Sequence, residues 1–306
     1  MDEAKFPAMT TSTPLVEDYG DAPSALRFMS RALRRFAALS AGERVPSIAA
    51  RWTGLRFSPG QIQAFAGATG LAGERGLSIL FPQVIGFRLQ MALLTHAAYP
   101  LPIWSALQVR NHLLRHDHLS PDQLYELQTQ VGGQRVLEKG LEVDLVSRLM
   151  RGSECVWEGR TTFFYRGHFG QAEVPHVLTQ SPDLGDSDEI ARWRMPTGGG
   201  WRFGRLTGDY NGIHTSNWYA RRFGFPRAFA HAQRVAAMCE ARLPASREEE
   251  QTLDLWIRGP VLYGAQVKLN GRVERDFATF GVALEGDPRF ALVGRRHRGA
   301  RPLQPF

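Results

Sequence analysis

Two stretches of this chain repeat one pattern: a proline, a long apolar run at helical spacing, then a short alternating strand ending near an arginine. The first is PQVIGFRLQMALLTHA from Pro82, followed by LQVRNHLL around Arg110; the second is PRAFAHAQRVAAMCEA from Pro226, followed by LDLWIRGPVLYG around Arg258. Behind the first copy come QLYELQTQV, LEVDLVSRLM and CVWEGRTTFFYR, and behind the second QVKLNGRVE, FATFGVALEG and ALVGRRHR. Their alternation, their β-branched and aromatic content and their Gly breaks predict antiparallel strands. Each half therefore predicts a long central helix followed by a meander, an α+β architecture with one sheet wrapped on each helix. The Gly-, Pro- and Asp-rich stretch 167–189 reads as the connection. Residues 1–175 are thus expected to form one unit and residues 176–306 the other. Within 22–40, Leu26, Met29, Leu33 and Phe36 fall on one side, and Arg27, Arg31, Arg34 and Arg35 mainly on the other. This predicts a basic amphipathic helix packed through its leucine side.

The copies differ in their polar residues. Upstream of Pro226 stands TGDYNGIH, Thr207 to His214; upstream of Pro82 the counterpart is TGLAGERG, with Leu71 where Asp209 stands and no His after it. Gly-Asp and Asn-Gly are turn dipeptides, and a turn accounts for Asp209 and Asn211. It gives no reason for His214 or for the apolar helix that follows. A carboxylate and an imidazole sharing one water are the groups needed to add water across an activated double bond. Positioned acid–base groups of this kind contribute on the order of 10²–10⁴ in rate. The N–H groups opening a helix can take the charge that develops on a carbonyl oxygen.

GDYNGIH followed by GFPRAFAHA resembles the MaoC-like acyl dehydratases, whose loop reads G-D-x-N-P-[LIV]-H and leads to a helix opened by H-G. The resemblance covers much of 190–297, including RGPVLYGAQVKL, which is similar to the family's F-x-x-P-V-x-x-G-D strand. It implies a double hot-dog fold in which the first repeat is degenerate. It further implies reversible hydration of trans-2-enoyl thioesters to (R)-3-hydroxyacyl thioesters carried on coenzyme A or acyl carrier protein. Carried over residue by residue, Asp209 and His214 act on the water, and Asn211 orients the Asp or closes the loop. Ala232 supplies the oxyanion N–H, with His231 and Gly208 beside the substrate. Gly212 stands in place of the family's Pro and should loosen the loop; Ala232 replaces a Gly and narrows the thioester slot. The degenerate half would house the acyl tail, with Gly86 in its apolar helix as the small residue bordering it. Two other classes compete: a non-catalytic acyl-thioester-binding or partner subunit, and a hot-dog thioesterase.

Composition narrows the partners. The chain has 306 residues, 43% hydrophobic and 22% charged, with a net charge of +7. Lysine occurs only at Lys5, Lys139 and Lys268, and the arginines are dispersed, so no nucleic-acid-binding block forms. No run is long enough for a membrane span, the N-terminal stretch has no secretory apolar core, and Cys155 and Cys239 read as packing residues. A cytoplasmic protein is expected, with a thioester substrate and with an acyl carrier protein or a second copy of the chain as admissible partners. His112 and His116 in HLLRHDHL lack the Glu of a metal-binding helix, and TGGGWRFG, 197–204, lacks P-loop spacing and reads as a strand-opening turn. No G-x-S-x-G elbow is present. Neither a metal nor a retained cofactor is expected.

Overall fold

The computed structural model describes residues 14–34, 36, 38–71, 77–244, 250–299 and 301. Its strands are β1 (Leu15–Tyr19), β2 (Ile48–Leu55), β3 (Leu107–Arg115), β4 (Tyr125–Leu137), β5 (Gly140–Arg151), β6 (Glu154–Arg166), β7 (Asp188–Arg194), β8 (Gln251–Ile257), β9 (Gln266–Val273), β10 (Phe277–Leu284) and β11 (Phe290–Arg298). The helices are α1 (Ala25–Ala32), α2 (Pro59–Thr69), α3 (Leu80–Leu94), α4 (Gly200–Thr207), α5 (Asn217–Arg222) and α6 (Ala232–Glu240).

The sheet order is β1-β2-β4-β5-β6-β3-β8-β11-β10-β9-β7. In each half an opening strand (β2, β7) is followed by a short helix (α2, α4), a central helix (α3, α6), an inner strand (β3, β8) and a three-stranded meander. The expected strands form, but the two sheets do not stay separate. β3 pairs antiparallel with β8, from Arg110 opposite Trp256 to Arg115 opposite Gln251, and fuses the halves into one sheet. Leaving those inner edges unpaired would expose two rows of backbone donors and acceptors. Across this seam His112 Nδ1 and Arg110 Nη2 both meet Asp254 Oδ1, at 2.8 and 2.7 Å.

The central helix of the first half is apolar nearly all round, and all its residues except Arg88 are buried, as befits a helix enclosed by a sheet. α6 is shorter but is likewise buried from Gln233 to Cys239. The two prolines thought to open matching helices do not correspond: Pro82 sits in the first turn of α3, whereas Pro226 lies in a loop before α6. The matching points are the Thr-Gly pairs. Gly70 and Gly208 both cap their helices in the left-handed conformation, at φ 81° and 78°, which glycine adopts without a Cβ penalty. Thr69 and Thr207 each bond back to the phenylalanine carbonyl four residues earlier, and each accepts from the second residue on, Leu71 N–H or Asp209 N–H. Leu71 therefore does occupy the place of Asp209; Ala72 to Gly76 of that loop lie outside the described residues.

Two local expectations are corrected. α1 is shorter than 22–40 and packs through Ala25, Phe28 and Ala32, while Leu26 and Leu33 are about four-fifths exposed. TGGGWRFG opens a helix, not a strand: Gly199 is the left-handed N-cap of α4.

Candidate active site

The loop after α4 is built from its own short-range bonds. Asp209 Oδ1 accepts the Asn211 N–H at 3.0 Å, and Asn211 Oδ1 accepts the Ile213 N–H at 3.2 Å, capping one 3-10 turn over Gly212–His214. Asn211 thus orients the carboxylate through its backbone and closes the loop through its side chain. Gly212 does not loosen it. A Cβ there would lie 2.5–3.0 Å from the Tyr219 ring, which fills the space beneath the turn. Gly200 is equally constrained, because its Cβ would meet the His214 carbonyl.

His214 Nδ1 donates to the Phe229 carbonyl at 2.9 Å, which fixes the tautomer and leaves Nε2 with a free lone pair. That Nε2 lies 3.7 Å from Asp209 Oδ2. The separation exceeds a hydrogen bond and suits two groups that contact one water between them. His231 stacks on His214 with ring centroids 3.8 Å apart. Its Nε2 donates to the Asp209 carbonyl at 3.3 Å. Burial holds the His231 imidazole well below its ordinary range, and repulsion from His214 adds to this, so the ring is neutral and braces the loop. His231 is also the N-cap of α6, which makes Ala232 the first helical residue. The N–H groups of that first turn have no intrahelical partner.

These groups meet on a cavity of about 440 Å³. Asp209, Asn211, His214, His231 and Ala232 line it from the second half; Phe87, Met91 and Leu94 of α3 and Met29 and Ala32 of α1 line it from the first. Gly208 is not on its wall; it packs against Arg88 as the helix cap. Gly86 is absent from the wall too, since a Cβ there would strike Leu127 at 2.8 Å in the core. Arg258 stands exposed at the rim. Gln108 and Gln233 also line the cavity, and sequence reasoning did not single them out. Only the position of Gln233 directly after Ala232 could have signalled them.

Among the described residues, two groups of side chains could hold a cation. Asp209, His214 and His231 bring their ligand atoms within 4.8 Å, as do His116, Cys155 and Glu158 near the start of β6. In the first group His231 Nε2 is committed to the Asp209 carbonyl, which leaves His214 Nε2 and the carboxylate to face a cation. In the second, His116 Nε2 pairs with Glu158 at 3.1 Å and Arg148 adds a competing positive charge. Burial and the Glu158 carboxylate push the Cys155 thiol up to about 11, away from the thiolate a metal requires.

The likeness to known proteins is consistent in sequence and in fold. No family model matches the chain. It is 26% identical over 216 residues to 3-hydroxyacyl-thioester dehydratase X of Mycobacterium tuberculosis, covering 70% of this chain and 76% of that protein. The crystal structure of HtdX from the same organism superposes with a TM-score of 0.68 at 23% identity, over 82% of this chain and all of that one. A MaoC-like dehydratase from Phytophthora capsici superposes with a TM-score of 0.65 at 14% identity, over 84% and 96% of the two chains. With its repeated strand order, its buried central helices and its G-D-x-N-x-x-H loop, the chain shares the double hot-dog fold of these dehydratases and is similar in sequence to the mycobacterial one.

Proposed function

We propose that the protein interconverts trans-2-enoyl and (R)-3-hydroxyacyl thioesters of coenzyme A or acyl carrier protein. One observation carries this reading: a carboxylate and a correctly tautomerised imidazole face each other at 3.7 Å and line, with the first residue of a helix, a largely apolar cavity. In hydration, Asp209 Oδ2 holds the water and His214 Nε2 takes one of its protons. The hydroxyl oxygen bonds to Cβ, the double-bond electrons shift toward Cα and the carbonyl, and the Ala232 N–H receives the developing oxyanion. The imidazolium returns its proton to Cα, so H and OH are added and the protein is unchanged. Backbone donors so placed are worth roughly 10²–10³ in rate each.

The division into residues 1–175 and 176–306 gives these halves distinct work: the second carries the chemistry and the first lends α3 and α1 to the acyl tail. Support comes from Leu71 at the place of Asp209, since a leucine cannot exchange protons. Support also comes from Pro82, which removes an N–H from the first turn of α3. Neither a metal nor a retained cofactor is required by the proton bookkeeping above. Exposed Arg258 suits an anionic carrier, and the cytoplasm, where such thioesters circulate, is the setting we assign. No helix among the described residues is long and apolar enough to cross a membrane.

The test is the loss of enoyl absorbance on adding a four-carbon and a longer trans-2-enoyl-coenzyme A, with free thiol followed in parallel. Hydration consumes the absorbance without releasing thiol. Thiol release would indicate hydrolysis at the carbonyl, and binding with neither change would indicate a non-catalytic subunit.

A further inference from the structure

A row of side-chain amides runs from the cavity into the core of the first half, and the reaction above makes no use of it. Gln233, on the first turn of α6, lines the cavity and is 4% exposed. Its Nε2 donates to Gln108 Oε1 at 2.8 Å, and Gln108 Nε2 donates to Asn111 Oδ1 at 2.9 Å. Behind them Gln83 Nε2 donates to Asn111 Oδ1 and Thr161 Oγ1 at 3.3 and 2.9 Å, and Gln90 Nε2 reaches Thr161 Oγ1 at 3.0 Å. The row is short of partners. Buried Gln83 Oε1, Gln90 Oε1 and Asn111 Nδ2 have none, and among the described residues Gln233 Oε1 accepts no hydrogen bond.

Most of the cavity lining outside the catalytic loop is apolar, with Phe87, Met91, Val109 and Phe163 among its residues and His176 and Arg258 as polar exceptions. An amide pair set in such a wall penalises any chain that covers it without bonding to it, because a desolvated polar group is expensive to leave unpaired. A plain alkyl chain covers the pair in this way. A chain bearing oxygen supplies the missing partner, and a glutamine amide offers both a donor and an acceptor. Gln233 follows Ala232 directly and lines the same cavity, so its side chain starts one residue from the N–H assigned to the thioester carbonyl. We infer that Gln233 and Gln108 form a polar reading point in the acyl channel, selecting enoyl and 3-hydroxyacyl thioesters whose chain carries a further hydroxyl or keto oxygen. This inference rests on the hydratase reading and names its substrate class.

The experiment compares trans-2-heptenoyl-coenzyme A with the same thioester carrying a hydroxyl at C4, C5 or C6, on the parental protein and on Gln233→Met and Gln108→Leu. The parental protein should favour at least one hydroxylated substrate by about tenfold in kcat/KM, the size of one good hydrogen bond. Both variants should abolish or invert that preference, with the gain on the plain chain appearing mainly in KM. A parental ratio near one for all three hydroxyl positions overturns the inference even if a variant fails to fold. So does a preference that survives in folded variants. Absence of hydration of every enoyl thioester would instead refute the hydratase reading itself.

Discussion

Replacing Asp209 by asparagine and by alanine separates the chemistry of the loop from its architecture. Asparagine keeps an oxygen in place of Oδ1, so the 3.0 Å bond from the Asn211 N–H survives; alanine loses it. What both remove is the negative charge 3.7 Å from His214 Nε2. With the partly buried pair treated at an effective dielectric near 20, that charge stabilises an imidazolium by about 4 kcal/mol. At 1.36 kcal/mol per decade this is about three orders of magnitude in rate, inside the range for positioned acid–base groups. Asp209→Asn should therefore lower kcat for enoyl hydration about 10³-fold and leave the melting temperature near the parental value. Asp209→Ala should lose at least as much rate, and about 1 kcal/mol of stability with the loop bond. The assay is the enoyl absorbance under saturating substrate, paired with a thermal melt. If Asp209→Asn kept more than a tenth of the parental rate, the carboxylate would not be the partner of His214, and the mechanism would fall.

Other consequences are equally specific. Gly212→Pro, which restores the family's residue, should destabilise the protein by about 1–3 kcal/mol through the Tyr219 ring. Gly212→Pro/Tyr219→Ala should recover part of that loss in a urea melt. Ala32→Leu, on the cavity wall, should lower the long-chain to four-carbon ratio of specificity constants, whereas Gly86→Phe should cost stability by striking Leu127. Because burial depresses His231, the unfolded chain binds that proton first as pH falls below about 6.5. Stability at this site is therefore intact above that pH and lost on acidification. His231→Gln should flatten the fall between pH 7 and 5 by up to about 1.4 kcal/mol per pH unit in denaturant melts. Dialysis against a strong chelator should leave the hydration rate unchanged; loss of activity with recovery on adding zinc or iron would move Asp209, His214 and His231 into a metal site.

Local order dictated much of this protein, because its cause lies within a few residues. The apolar surround of α3 requires enclosure whatever encloses it. The alternation of β3–β6 and β8–β11 requires a half-buried sheet. Thr207, Gly208, Asp209 and Asn211 fold their turn through bonds spanning two to four residues, and Leu71 shows in the sequence itself that the first copy lacks the carboxylate. Tertiary structure decided what depends on a distant neighbour. In α1 both Leu26/Leu33 and Ala25/Phe28/Ala32 are apolar sets at helical spacing, and only the docked helix chose the second. The fusion of two sheets depended on an edge in one half finding an edge in the other, at β3 and β8. Tyr219 beneath Gly212 explains a departure that looked like a loosened loop. The contact between Gln233 and Gln108 joins residues 125 positions apart. No periodicity reports such a meeting, since a pattern of polar and apolar positions says which residues share a face and not what that face will touch.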